Sequence, residues 1–306
     1  MKPNTLPLWI LVCLSLAALV GTAIGQNSSP PCRECAEWNL PQKPFRIFGK
    51  TYYVGPHGLS SILITSPSGH ILIDGALPES ARQIAENIRS LGFRIQDVKI
   101  ILNSHVHFDH AGGIAELQRM SGARVIASKW SAAVMRKGGV GPGDPQFGAV
   151  RPIAPVQNVE ELHDGETLRV GQISVTAHLT PGHTPGGTSW TWKSCEGDVC
   201  YDIVYADSLT PVSGKDFSFT TSHEYPQARD DFEKSFTFLR RTPCDILITT
   251  HPDTSGLWDR VGGRQRGVTP DPMVDAGACR LLADNARYQL QKRVDEELRN
   301  RMMRSH

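Results

Sequence analysis

Three imidazoles and a carboxylate fall within the six residues His105-Val106-His107-Phe108-Asp109-His110. The apolar run before them, Val98-Lys99-Ile100-Ile101-Leu102, reads as a buried strand. Side chains alternate faces along a strand, so His105 and His107 project to one side where it ends, and two neutral imidazoles side by side can hold one cation. Gly112-Gly113 interrupts the chain before the helical pattern Ile114-Ala115-Glu116-Leu117-Gln118. Asp109 and His110 therefore sit at a turn and point elsewhere, which brings a second cation within reach. Imidazole and carboxylate are ligands that Zn²⁺ prefers, and few protein ligands per ion leave positions open for water.

Further ligands are available in similar settings. His183 stands on the Gly/Pro turn Thr180-Pro181-Gly182-His183-Thr184-Pro185-Gly186-Gly187, after the alternating segment Ile173 to Leu179. His251 follows the apolar run Ile246-Leu247-Ile248-Thr249-Thr250 and precedes Pro252. Both are expected ligands. His70, His163, His178, His223 and His306 lack such a setting and read as turn or surface residues. His57, in Gly55-Pro56-His57-Gly58, is kept as a candidate substrate-facing residue.

The elements that must carry these side chains are legible in outline. Tyr52-Tyr53-Val54, Ser61 to Thr65 and His70 to Asp74 read as short strands joined by turns, the last through Pro67-Ser68-Gly69. Glu79 to Ser90 has helical spacing (Ala81, Ile84, Ala85, Ile88) and is ended by Gly92. Strands and helices continue to alternate, and Asp275 to Arg301 reads as a charged closing helix with a solvated face.

The motif His-x-His-x-Asp-His with two later histidines resembles the metallo-β-lactamase superfamily, and the resemblance runs from about Phe45 to the last helix. It implies an α+β fold, a four-layer αββα sandwich with the metals at one edge between two sheets. It also implies two zinc ions per chain, the first held by His105, His107 and His183 and the second by Asp109, His110 and His251. Many hydrolases of the superfamily, such as the glyoxalase II type, bridge both ions with an additional Asp. By simple alignment Asp207, in Val204-Tyr205-Ala206-Asp207-Ser208, is a candidate bridge. The run also resembles the third metallo-β-lactamase subclass, in which the Ser faces the metals and the equivalent of His110 joins the second ion. Asp144-Pro145-Gln146-Phe147-Gly148 and Pro185 to Trp192 resemble segments of that subclass too. Asp207 is accordingly read as structural, its carboxylate turned away from the site.

Function follows from that resemblance. Paired zinc ions about 3.5–4 Å apart lower the pKa of bound water toward ~7, so hydroxide is available at neutral pH. In the family this opens the β-lactam ring of antibiotics, and the implied partner is a small-molecule β-lactam. Asp109 and Ser208 would take catalytic roles, Ser208 and Thr210 would hydrogen-bond the substrate carboxylate, and Gln146 or Phe147 would contact its substituents. The alternatives are a thioester or lactone hydrolase of the same superfamily, a phosphodiesterase, and a zinc-binding protein without turnover. No Ser-x-x-Lys nucleophile motif is present.

Composition bounds the setting. A formal net charge of +1 over 306 residues offers no electrostatic footprint for nucleic acid. Met1-Lys2, the apolar stretch Leu8 to Val20 and Ala23-Ile24-Gly25 read as a signal peptide over residues 1–25, with a retained membrane anchor as the alternative. Bulky Leu11-Val12 argues against a lipid anchor at Cys13. Residues 26–306 form the catalytic domain, expected to be periplasmic or secreted, free of the membrane once the leader is cleaved, and monomeric. Six cysteines remain, an even number that in an exported protein suggests disulfides. Cys195 and Cys200 would clamp a hairpin end, Cys244 and Cys279 would tie the His251 strand to the closing helix, and Cys32 and Cys35 would pair locally. A structural zinc site is the rival, but it needs paired motifs, and only one Cys-x-x-Cys is present.

Overall fold

The structure, a computed structural model, describes Met1 and residues 32–304; the leader expected over residues 1–25 lies, Met1 aside, outside them. Two sheets form the centre. The first has seven strands in chain order: β1 (Phe45–Phe48), β2 (Thr51–Tyr53), β3 (Ile62–Ser66), β4 (Gly69–Ile73), β5 (Val98–Leu102), β6 (Arg124–Ser128) and β7 (Val159–Leu162). Its first four strands are antiparallel and the last four parallel. The second holds β8 (Thr167–Val170), β9 (Ile173–Leu179), β10 (Thr188–Glu196), β11 (Val199–Ala206) and β12 (Ile246–Thr249), antiparallel except that β12 runs parallel to β11.

The helices are α1 (Cys35–Trp38), α2 (Ser80–Ser90), α3 (Phe108–Ala111), α4 (Ile114–Ser121), α5 (Lys129–Lys137), α6 (Ala228–Arg241), α7 (Leu257–Gln265) and α8 (Ala278–Arg304). Neighbouring residues of β4 and β5 serve different interfaces. Ile71, Ile73, Ile100 and Leu102 pack between the sheets against Val175, Trp190, Tyr205 and Ile248. Leu72 and Ile101 face the other way, onto Ile84, Ile88 and Leu117 of α2 and α4. Burial on both faces explains why these strands read as continuous apolar runs. Val204 and Leu247 of the second sheet pack on Phe232 and Phe236 of α6 and on Cys279, Ala283 and Leu290 of α8. The result is the αββα sandwich.

Several element ends differ from the sequence reading by one to three residues, and two of them have a visible cause. β4 stops at Ile73 because Asp74 turns to a positive φ of 61° and its carboxylate accepts from the Ser104 amide (2.7 Å) and hydroxyl (2.6 Å). α8 starts at Ala278, three residues late, because the Asp275 side chain takes the Gly277 amide in a local turn (2.8 Å). All three expected disulfides are formed: Cys32–Cys35, Cys195–Cys200 and Cys244–Cys279. Among the described residues no helix is long and apolar enough to cross a membrane.

Candidate metal centre

The histidine-rich loop leaves β5 at Leu102 and enters the one-turn helix α3, whose cap is His107. That helix lies close against the segment after β4. A Cβ on Gly113 would stand 2.2 Å from the Gly75 carbonyl, and one on Gly112 would stand 2.5 Å from Pro78 Cδ. The glycine pair is thus what lets Asp109 and His110 swing under the sheet edge. His183 arrives on the β9–β10 turn and His251 just beyond β12. Four of the six expected ligands therefore come from the first sheet and two from the second.

His105, His107 and His183 bring ligand atoms within 4.8 Å of one another, and so do His105, Asp109 and His110. The other nitrogen of each first-set imidazole is held from behind. His105 Nδ1 lies 2.7 Å from Asp207 Oδ1, His107 Nε2 lies 3.1 Å from Asp144 Oδ1, and His183 Nδ1 donates to the Thr210 carbonyl at 2.8 Å. These acceptors assign the protons outward, so His105 Nε2, His107 Nδ1 and His183 Nε2 present lone pairs to the centre. His105 Nε2 is buried with no hydrogen-bond partner. An unpaired buried nitrogen of this kind is costly unless something binds it. Beside this set, Asp109 Oδ2 lies 3.2 Å from His110 Nε2 and 3.3 Å from His251 Nε2. The donor chemistry therefore fits a zinc-type metal ion.

Burial, the largest influence, lowers the pKa of His105 well below the usual imidazole value, and it takes His183 to about 3. The shift favours the neutral imidazole, the form that can bind a metal ion. Burial alone would raise Asp109, but His110 and His251 outweigh it and hold the carboxyl well below its usual range. His110 moves up, because Asp109, with Asp74 and Asp207 behind, overcomes the opposite push of burial.

A cleft of about 250 Å³ opens over the centre. Trp38, Phe108, Val150, Val212 and Leu282 give it apolar walls, and Ser208, Thr210, Thr250 and Thr254 give it hydroxyls. No Lys or Arg is among the lining residues. Ser208 Oγ lies 2.8 Å from Thr250 Oγ1, and Gln146 Nε2 lies 3.2 Å from His183 Nε2.

The expected residues Asp109, His107, His110, His183, His251, Gln146, Ser208 and Thr210 all reach this cleft, and His105 lies just beneath it. His57 does not. It stacks on Trp258, ring centroids 4.4 Å apart, with Nδ1 3.1 Å from Gln42, so the substrate-facing reading of that loop is corrected. Phe147 is half exposed and also outside the lining. Asp207 needs a correction of emphasis. The residue lines the cleft, and its Oδ1 meets the outward nitrogen of His105, so it grips a candidate ligand and is more than packing. Sequence reasoning gave no role to Asp144, to Trp38, whose ring meets His251 edge-on at 5.2 Å, or to Thr250. Asp144 opens the loop already singled out for its resemblance; Trp38 carries no local signal.

The fold and this donor set define a class of protein. The family model of the metallo-beta-lactamase superfamily matches residues 54–251, well over half the chain, and the chain belongs to that superfamily. Within it the likeness reaches the third subclass. MEM-A1, a subclass B3 metallo-beta-lactamase isolated from a soil metagenome library, is 51% identical with a TM-score of 0.84, covering 86% of this chain and 99% of that one. The Rm3 metallo-beta-lactamase is 54% identical with a TM-score of 0.85, covering 88% and 99%. A hydroxyacylglutathione hydrolase of Bradyrhizobium sp. (strain ORS 278) is 28% identical over 188 residues, 61% of this chain. The chain spans 59% of the length of that relative.

Proposed function

We propose that the chain is an exported di-zinc hydrolase that opens the β-lactam ring. The observation that carries this reading is the locked donor set: three imidazoles whose outer nitrogens are each fixed by an acceptor, beside Asp109, His110 and His251. His105, His107 and His183 would hold the first zinc and Asp109, His110 and His251 the second. Bound there, the ions supply a water of lowered pKa and polarise the substrate carbonyl.

The chain's own residues do the rest. Asp109 stays ionised and accepts a hydrogen bond from the attacking water, which orients it. The Gln146 amide stands over the first set, within reach of substrate. Ser208 and Thr210 offer hydroxyl donors to the β-lactam carboxylate, with Thr250 and Thr254 beside them, and no Lys or Arg lines the cleft to take that role. Trp38, Phe108 and Val212 exclude water from the apolar substituents. All six ligands come from one chain, so a monomer suffices. The leader-like first 25 residues and the three disulfides support export to an oxidising compartment.

The second reading, thioester or lactone hydrolysis, is favoured by the named activity of the curated relative and disfavoured by the engagement of Asp207 Oδ1 with the outward nitrogen of His105, which leaves that oxygen unavailable as a bridge. The test is hydrolysis of a chromogenic cephalosporin and a carbapenem, set against an acyl-homoserine lactone and a glutathione thioester, with and without EDTA. β-Lactam turnover that EDTA abolishes is expected. Preferential lactone or thioester turnover, or β-lactam turnover that survives EDTA, refutes the proposal.

A further inference from the structure

The cleft wall bearing Ser208, Leu209, Thr210 and Val212 continues as irregular chain as far as α6 at Ala228. A span of this length without regular structure is ordinarily loose. Here it converges on one carboxylate of α8. Glu297 accepts hydrogen bonds from Ser218 Oγ (2.7 Å), Phe219 N (3.1 Å), Thr220 N (3.0 Å) and Thr220 Oγ1 (3.0 Å), and from Arg293 Nε (2.9 Å). Arg293 in turn donates to Ser213 Oγ at 2.8 Å and lies 5.9 Å over the Phe219 ring. The next residue joins the opposite wall, where Gly214 N donates to the Pro145 carbonyl at 2.8 Å.

Pro145 is flanked by Asp144, which holds His107, and by Gln146, which overhangs the centre. On the near side, Thr210 holds His183 through its carbonyl. Both cleft walls thus meet a segment whose shape is set from α8. Burial pushes the Glu297 carboxyl up, but Arg293, Ser218, Phe219 and Thr220 together bring it below its usual range, so it is a charged acceptor at neutral pH. Charge-assisted bonds of this kind are the strong ones. α8 itself is anchored to the second sheet by Cys244–Cys279 and lends Leu282 to the cleft.

We propose that Glu297, remote from the reacting atoms, is a positioning residue for substrate binding, pinning residues 213–220 so that the Ser208–Val212 wall and the Asp144–Gln146 wall face one another at a fixed separation. This rests on the hydrolase reading above. The test uses the full zinc-loaded chain with Glu297→Gln, which removes the charge and sets an amide among the donors, and Ser218→Ala, which removes one bond to Glu297 together with the Ser218–Thr220 contacts. Exposed Lys215 lies inside the pinned segment and reports its release to trypsin without reference to activity.

The expected result for Glu297→Gln is cleavage after Lys215 accelerated by about tenfold or more as the segment opens locally. KM for the chromogenic cephalosporin rises on the order of tenfold, while kcat changes by less than about threefold and zinc content holds. Ser218→Ala shifts cleavage and KM the same way, by less. A variant that only melts earlier, with wild-type KM and cleavage, overturns the proposal, as does a fall in kcat at constant KM. If Glu297→Gln does not fold, wild-type cleavage and KM in Ser218→Ala overturn it. Should the wild-type chain hydrolyse no β-lactam, the functional reading has failed, while unaccelerated cleavage in the variants overturns the pin itself.

Discussion

Asp207→Asn separates the roles open to this carboxylate. The His105–Asp207 contact is 2.7 Å, with side-chain exposures of 1% and 0%, so the pair is shielded from solvent. Asparagine keeps the size, and its carbonyl can still accept the His105 Nδ1 proton, so the ring stays in place. Burial pushes the Asp207 carboxyl up, and what is lost is the charge it would carry beside a bound ion, where it would make His105 a stronger ligand. Replacing such a supporting partner lowers metal affinity by about 10–100-fold, which corresponds to ~1.4–2.7 kcal/mol. The amide nitrogen also takes the place of Asp207 Oδ2, which has no hydrogen-bond partner. A buried donor left unpaired there costs ~1–3 kcal/mol of stability. Competition against a chromophoric chelator, on protein shown to be folded by near-ultraviolet circular dichroism, reads the two affinities separately. The first zinc should weaken by the stated factor while the second moves by less than about threefold. Unchanged affinities would refute the reasoning, and joint loss of both ions would mark a bridging carboxylate and favour the glyoxalase II or lactonase branch.

Acidification of EDTA-treated protein should destabilise it through His105 and His183. Both are lowered in the fold, His183 to about 3 from 6.5, so the unfolded chain takes up protons that the folded chain refuses. Their contribution is complete above about pH 6.5 and is lost as pH falls toward 3, at up to ~1.4 kcal/mol per pH unit for each group. His110, whose pKa is raised, acts in the window above 6.5 instead. Burial raises Asp207 and Asp74, whose contributions run the other way, so the histidine effect is read by comparing wild type with His183→Ala, and an equal pH dependence of their urea midpoints would sink this account. Gly187→Ala would place a Cβ 2.4 Å from Asp207 Oδ2 and 2.6 Å from the Thr180 carbonyl. It should cost ~1–3 kcal/mol and weaken the first zinc, whereas Gly141→Ala, with nothing within 4 Å, should leave both unchanged. Equal melting temperatures for the two variants would contradict the crowding argument.

The candidate ligands were legible as a group because each stands just beyond a strand on a Gly or Pro turn, a setting that sequence displays directly. β5 and β9 have the bounds that their residue patterns predict, Val98–Leu102 and Ile173–Leu179. The sandwich itself was not legible, since Leu72 and Ile73 are equally apolar and only the tertiary arrangement assigns one to the helices and the other to the facing sheet. The same limit hid the supporting groups. Asp144 and Asp207 look like loop carboxylates until the chain brings them 37 and 102 residues back onto His107 and His105. His57 misled for the converse reason: a Gly/Pro loop signals exposure, but stacking on Trp258 is decided by α7, far along the chain.

The division of the ligands between the two sheets has a bearing on how long the molecule lasts. Ions held as proposed would act as rivets across the seam between its halves, and each one present at a hundred times its Kd would add ~2.7 kcal/mol to the folded state. Where zinc is scarce, the seam loses its rivets and partly opened chains become more frequent. Resident proteases would then meet more cleavable chain, and metal supply would govern the lifetime of the molecule as well as its turnover.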